Sequence, residues 1–552
     1  MTNQIHRIGR RAFGFLALLF MGIKLYAQEP QSLALSWERT DDAPKEIILG
    51  LHCRSPFYID WGDGQLEEFP GRNYGVNGIR GEYKGNTVRI YGNPNDFVSL
   101  YLGDGDRGNG VKSLDITHLK MLRFLHCPNN QLAELDLNSS FMLEELHLAN
   151  NRLQSLSLRQ CPRLDMLICY GNALKTLDLT ENSKLQALRC EGNQIAKLDV
   201  RHLLELTVLR CGDNPISQLD LGKNTKMQQL FVERTKISSL STEALEDLRV
   251  LNVSGCGFSQ LDVHKNKALH MLYANNNALT ELHITELPDL ERLEVMNNKL
   301  HTLRLHAPIL TDLRCSNNEL QSLDLSALPM LKFLFCEQNK LTSIDLKQNP
   351  NLNELLASNN QLSMLNLSNN RDLYLLWLDG NQFAQLDITP CALQLFSLFL
   401  ANNRLPLTEI QRIVNQLPDI TQITASASKA WWKKWLRIAG NPEVERVDLT
   451  MPLKRGWCVD LKEKWPGNPN GINEPAQGPQ LLTQRGNELL LSAPDHQAVN
   501  YDIYTAMGIA VAHYSLPAGT TESYLLPASG CYIVVAKDLA HNDETVQKVI
   551  AH

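Results

Sequence analysis

Acidic and thiol side chains recur at fixed spacing through the middle of this chain, and either set could carry chemistry. Asp136, Asp178, Asp199, Asp220, Asp262, Asp324, Asp345 and Asp387 occupy one recurring slot. Paired carboxylates run general acid–base hydrolysis. Eight equivalent copies instead predict a structural row that caps turns, because an Asp side chain bonds the backbone two residues on. Cys127, Cys169, Cys190, Cys211, Cys315 and Cys336 form a second set. Adjacent strands would bring such sulfurs within reach of one another, yet Val232, Val253, Ala274 and Ala357 fill the same slot with no partner rule. Buried apolar thiols are therefore expected, rather than disulfides or metal ligands. Gly103-Asp104-Gly105-Asp106-Arg107-Gly108 matches G-x-G-x-x-G, but it leads into no helix and its Asp residues would repel phosphate. Asp104 and Asp106, or Asp60 and Asp63, could offer oxygens to Ca²⁺, although the EF-hand spacing is absent. No C-x-x-C, H-E-x-x-H, G-x-S-x-G or P-loop occurs. No catalytic residue, metal ligand or cofactor is assigned, and an enzyme is not expected.

The spacing behind both sets is a repeat, which takes precedence over local propensity. Units begin at Leu122, Leu143, Leu164, Leu185, Leu206, Met227, Leu248, Leu269, Leu290, Leu310, Leu331, Leu352, Leu373 and Leu395. Each interval is 21 residues, apart from one of 20 (Leu290 to Leu310) and one of 22 (Leu373 to Leu395). The pattern is L-x-x-L-x-[C/L/V/A]-x-x-N-x-[L/I/F]-x-x-L-D-L, and Leu fills its fourth position in all fourteen units. The Asn slot holds Asn130, Asn151, Asn172, Asn193, Asn214, Asn277, Asn298, Asn318, Asn339, Asn360, Asn381 and Asn403, with Thr235 and Cys256 as exceptions.

Each slot has a physical reading. Leu125 and Cys127 should point inward along a short parallel strand, with Phe124, His126 and Pro128 outward. Leu132, Leu135 and Leu137 would fill the same core from the return limb. The Asn turns the chain, and its amide should bond backbone groups of the next coil in a structural ladder. No unit can bury its Leu set alone, so coils must stack. A unit this short leaves no room for a long outer helix, so extended segments or tight turns are expected there.

These residues resemble the leucine-rich repeat family, in the short cysteine-containing form of internalin-J-like bacterial surface proteins. The resemblance covers about residues 100 to 405. It implies a mainly β leucine-rich repeat solenoid of about 14 repeats, acting as a non-catalytic binding or adhesion scaffold, and it names no ligand.

Composition agrees with a large globular protein. At 552 residues and about 150 per domain, three to four domains are expected. The net charge of −7 supplies no basic field for nucleic acid. Residues 1–27 read as a signal peptide: Arg7, Arg10 and Arg11 precede an apolar run from Ala12 to Ile23, with cleavage after Ala27. That run is too short for a ~30 Å hydrocarbon core, and no later stretch would span one. Residues 28–97 alternate β-formers with Gly turns, predicting a small N-terminal β unit that caps the first coil. Its Trp61-Gly62-Asp63-Gly64 is similar to the core motif of polycystic-kidney-disease-like modules.

The solenoid is assigned to 98–405 and its C-terminal cap to 406–461. The cap should begin with a helix from Leu407 to Leu417, N-capped by Thr408 and stopped by Pro418. Trp431, Trp432 and Trp435 are expected to close the last coil. Residues 462–480 form a Pro/Gly/Asn linker, and 481–552 a β-sandwich of short strands. The runs Tyr504-Thr505-Ala506-Met507-Gly508, Leu526 to Val535 and Lys548-Val549 resemble the type IX secretion C-terminal sorting domain, although Thr505 stands where an Asp often follows the Tyr. That resemblance implies engagement of the type IX machinery and a secreted, outer-membrane-surface or extracellular location.

The outward strand residues should line the binding face. Their central row ends in Phe335, Leu356, Trp377 and Phe399, with Phe333 and Leu375 beside it and Arg314 at its rim. An exposed apolar and aromatic patch of this kind is expected to anchor a protein or glycan ligand in host attachment or biofilm. The competing expectation is that the C-terminal cap or linker folds over it. A secreted hydrolase acting through the N-terminal unit, or a structural envelope protein, are the alternative functions.

Overall fold

The computed structural model describes residues 32–103, 108–419 and 434–461, together with strand backbone between Leu482 and Ala551. The expected signal peptide, Asp104 and Asp106, Trp431 and Trp432, and the 462–480 linker lie outside the described residues. The chain divides into two compact units, Met1–Asn193 and Gln194–His552.

The first unit opens with two sheets around one core. In one sheet, Leu33–Arg39 lies between Thr87–Tyr91 and Val111–Asp115, and Phe57–Asp60 pairs with Leu66–Phe69 and Thr87–Tyr91, all antiparallel. In the other, Glu46–Cys53 is antiparallel to Asn77–Glu82 and to Phe97–Leu102. Phe57 and Phe97 meet across the core at 6.1 Å, and Trp37 Nε1 donates to the Tyr83 hydroxyl at 2.9 Å. Phe97–Leu102 spans the boundary expected at 97/98, because its other edge pairs in parallel with Phe124–His126, the first repeat strand. The β unit is thus continuous with the coils through backbone hydrogen bonds.

From there the strands are three residues long and parallel. Phe124–His126, Glu145–His147, Met166–Ile168 and Ala187–Arg189 follow one another in register, with Leu125, Leu146, Leu167 and Leu188 aligned. These leucines are fully buried, as are Cys127, Cys169 and Cys190. Each such Leu contributes roughly 1.5–3 kcal/mol only once neighbouring coils cover it, which is why the coil cannot stand alone.

The second unit continues the same design from Val208–Arg210 to Ser397–Phe399. Among the described residues its return limbs are turns and irregular segments, apart from one parallel pair, Glu281–Ile284 with Thr302–Leu305. A helix follows at Leu407–Gln416, burying Ile410, Ile413 and Val414. Thr408 does not cap it. The helix starts at Leu407 as expected, but Pro406 holds the cap position in extended conformation with its carbonyl accepting from Glu409 and Ile410, and Thr408 lies inside the first turn. The C-terminal cap then adds Lys434–Arg437 and Trp457–Asp460 as two more parallel strands in register with Ser397–Phe399. Near the C-terminus the backbone forms two antiparallel sheets, of three strands (Leu482–Arg485, Glu488–Ser492, Thr521–Leu525) and four (Ala510–Leu516, Val499–Thr505, Gly530–Asp538, Glu544–Ala551).

The Asn ladder exists, but it points backward. Asn151 Nδ2 donates to Cys127 O of the preceding coil at 2.9 Å and to its own Leu148 O at 3.1 Å, while its Oδ1 accepts from Leu132 N at 3.0 Å. Asn193 repeats this with Cys169 O, Cys190 O and Leu174 N, each at 3.0 Å. The expectation of bonding to the next coil is corrected: the turn folds the amide over the coil already laid down. At the two exceptions, Thr235 Oγ1 and Cys256 Sγ both donate to Val232 O, at 2.8 and 3.1 Å. The residue before each ladder Asn adopts a left-handed conformation, with φ of 53° at Asn150 and 65° at Gly171, which favours the Asn or Gly found there in all coils but two, where Asp213 and Gln338 stand.

Candidate functional site

One outward column of the second unit runs Arg314, Phe335, Leu356, Trp377, Phe399, Arg437 and Asp460, each the register partner of the next. The sheet thus brings Arg314, Phe335, Leu356, Trp377 and Phe399 together as the sequence predicts, with Phe333 and Leu375 in the adjacent column. Their exposure differs from expectation. Phe335, Leu356 and Phe399 are 5%, 3% and 6% exposed, so they do not form an open apolar patch. Strand spacing of about 4.8 Å lets large side chains in one register position cover each other's faces. Trp377 and Phe399 stack with centroids 4.7 Å apart, and Arg314 lies 4.7 Å from the Phe335 ring centre. Phe333, Leu375 and Trp377 remain half-buried.

Arg314 is not a free rim cation. Its Nε and Nη2 donate to the two Asp312 oxygens at 3.0 and 3.1 Å. Asp312 is also 3.5 Å from Arg292, whose Nε donates to the buried Glu294 at 2.8 Å. Such buried carboxylates need this pairing, because an unpaired charge in low dielectric is costly.

Beside the stacked rings lies a second charged group that sequence reasoning missed. Asp379 Oδ2 accepts from Arg437 Nη1 at 2.6 Å and from Trp377 Nε1 at 3.0 Å, while Oδ1 accepts from Ala401 N at 2.6 Å. Arg437 also approaches Asp460 at 3.5 Å. Burial pushes the Asp379 carboxyl up to about 6, although Arg437 pulls the other way. Asp379 positions the indole.

Asn441 was missed as well. Its Nδ2 donates to Leu400 O and Ile438 O at 2.8 Å, and its Oδ1 accepts from Leu405 N at 3.1 Å, the ladder geometry of Asn403. Leu436-x-Ile438-x-x-Asn441 matches the repeat, but the inserted helix hides the period. A second buried Asn row, Asn182, Asn224, Asn266, Asn349 and Asn370, donates to two main-chain carbonyls of the preceding coil or turn. Its spacing, 42, 42, 83 and 21 residues, is close to whole multiples of the repeat and was the available signal.

The other chemical candidates are accounted for locally. The row of Asp residues caps turns within its own coil, as in Asp178 with Thr180 N at 3.2 Å and Asp324 with Ser326 N at 2.9 Å. Asp60 Oδ1 accepts from Gly62 N and Gly64 N at 2.8 and 2.9 Å, and Asp63 pairs with Lys84 at 3.0 Å. Both carboxylates thus serve a turn and a cation. The six repeat cysteines are buried and unbridged, and burial pushes the Cys127 thiol up to about 12 and raises those of Cys169, Cys315 and Cys336 well above the ordinary thiol range. A neutral thiol is neither a nucleophile nor a ligand.

Repeat period, in-register parallel strands and buried leucines define a mainly β leucine-rich repeat solenoid of about 16 turns. Among solved structures, the chain is similar to the functional domain of InlJ from Listeria monocytogenes, which includes a cysteine ladder, at 19% identity over 80% of this chain and 83% of that one (TM-score 0.47). It is also similar to the internalin inlF of Listeria monocytogenes (21% identity, 53% of this chain and 84% of that one, TM-score 0.45). A leucine-rich repeat protein of Leptospira interrogans shows 21% identity over 63% of this chain and 91% of that one (TM-score 0.46). No family model matches the chain, and no curated protein matches it. At these values the likenesses carry no functional inference.

Proposed function

We propose that this chain is a non-catalytic binding scaffold for a protein or glycan ligand, exported and displayed at the cell surface for adhesion. The observation that carries the reading is how the slots are used. Inward Leu and Cys build the core, Asn and Asp close the turns, and the outward columns hold large aromatic and charged side chains. Trp377 is the anchor: it is half-buried, backed by Phe399 and oriented by Asp379. Phe333 and Leu375 flank it, while Arg314, Phe335, Leu356 and Phe399 hold the surface rigid beneath. Rigid Trp anchors are typical of binding hot spots. Export is supported by the basic-then-apolar N-terminus and by the two C-terminal antiparallel sheets, whose sequence resembles a type IX sorting domain.

The test is capture by the full chain from host-cell, matrix and bacterial-surface extracts. A Trp377→Ala, Phe399→Ala double variant is expected to lose about tenfold or more in affinity for the captured partner. A folded variant with unchanged affinity would move the site elsewhere.

A further inference from the structure

Tyr101, His126 and His147 occupy one register position on three successive strands of the first unit. Their rings form a column, with Tyr101–His126 at 4.6 Å, His126–His147 at 5.6 Å and His147–Tyr170 at 6.5 Å. The Arg189 guanidinium ends it, 4.8 Å from the Tyr170 ring centre. Tyr101 belongs to Phe97–Leu102, the strand shared between the N-terminal β unit and the coils. We propose that this column is an acid-sensitive clasp: neutral histidines hold the N-terminal β unit to the first coils, and protonation loosens that junction.

The charges around the imidazoles decide the direction. Phe97–Leu102 contributes Ser99 and Tyr101, and Phe124–His126 adds the uncharged Phe124. Glu145, on the strand of His147, places Oε2 3.3 Å from His126 Nε2. Met166–Ile168 brings no ionisable side chain of its own, but Asp165 precedes it, its carboxyl raised by burial and by Glu145 and Glu144. Glu144 is paired with Arg123 at 2.9 Å. On the next strand Arg189 donates to Glu191 at 2.6 Å.

Glu145 favours a proton on His126, yet burial acts against it and prevails, so His126 lies below the usual imidazole range. His147 falls to about 4, through burial first and then repulsion from His126 and Arg189. Its Nε2 is buried without a hydrogen-bond partner, so a proton there would meet no acceptor. An imidazole depressed in the folded state stabilises it fully above about pH 6.5, and that contribution is lost as pH falls toward the folded value. Once the column opens, His147 regains its ordinary basicity. Between pH 7 and pH 5 the opening constant should rise by about tenfold, discounted for partial solvent screening.

Hydrogen exchange of the full chain at both pH values, corrected for intrinsic amide rates, measures this on Phe97–Leu102, Phe124–His126 and Glu145–His147. The native chain should open about tenfold more at pH 5, and a His126→Asn, His147→Gln variant should not respond to pH. Equal protection at both pH values overturns the clasp, as does an equal response in the variant, which would assign the effect to Glu145 or Asp165. Imidazole titration by NMR in the unmutated chain is independent of how the variant packs. A depressed His147 value supports the clasp, and an ordinary or raised one overturns it.

Discussion

Asp379 and Arg437 lie 58 residues apart yet form an ion pair at 2.6 Å, with side chains only 8% and 5% exposed. Two coils, an inserted helix and the register of the added strand Lys434–Arg437 bring them together. Arg437 follows Phe399 in the outward column, and Asp379 accepts the indole N–H of Trp377. The energetics of the pair should be asymmetric. Replacing Arg437 by Met leaves a buried carboxylate uncompensated and is expected to cost about 3–5 kcal/mol in urea unfolding. Asp379→Asn keeps an acceptor and removes the buried charge, so its midpoint should change far less. Equal losses for the two would contradict this assignment.

The same carboxyl predicts a pH dependence. Its folded value of about 6 lies above the unfolded one, so the folded state binds more protons in between. Stability from this group is full below about pH 4 and is lost as pH rises through 6, on the order of 1–3 kcal/mol. The difference in unfolding free energy between pH 4 and pH 7 should shrink by that amount in Asp379→Asn. An identical difference in both proteins would show that Asp379 is not responsible.

Asn193→Ala removes bonds to four main-chain groups, three of them buried. It should cost about 1–3 kcal/mol. Asn349→Leu should cost less, because Asn349 Oδ1 is already buried without a partner and Leu328 fills the same slot one coil earlier. Thermal melts of the two variants test the order.

Deleting residues 481–552 should leave the repeats folded, with the same far-ultraviolet spectrum contribution and melting transition. The truncated chain is expected to remain in the periplasm if those residues direct type IX export. Normal surface display after the deletion would remove the sorting assignment.

Buried thiols predict a labelling pattern. Cys127, Cys161 and Cys391, each pushed up to about 12 by burial, should react with a thiol reagent only as fast as the chain unfolds. Rapid labelling of any of them in the native state would show a locally open coil.

The repeat was legible in the sequence because every coil makes the same contacts. Leu125, Cys127 and Asn130 have identical duties in Leu146, Leu148 and Asn151, so 21-residue spacing alone assigns core, strand and turn. The direction of the Asn bonds was not legible, since an amide at a turn can reach either neighbour and only the stacking shows which carbonyls lie beneath it. Asn441 escaped because the helix Leu407–Gln416 breaks the period while the register resumes in space. The proposed binding face shows the sharpest division. Sequence placed Phe335, Leu356, Trp377 and Phe399 in one outward row. Tertiary structure decided that three of them are buried, that Arg314 is held by Asp312, and that Asp379, paired with Arg437, holds the Trp377 indole. Outwardness follows from alternation along a single strand, whereas exposure depends on what neighbouring coils place 4–5 Å away, and no single repeat encodes that.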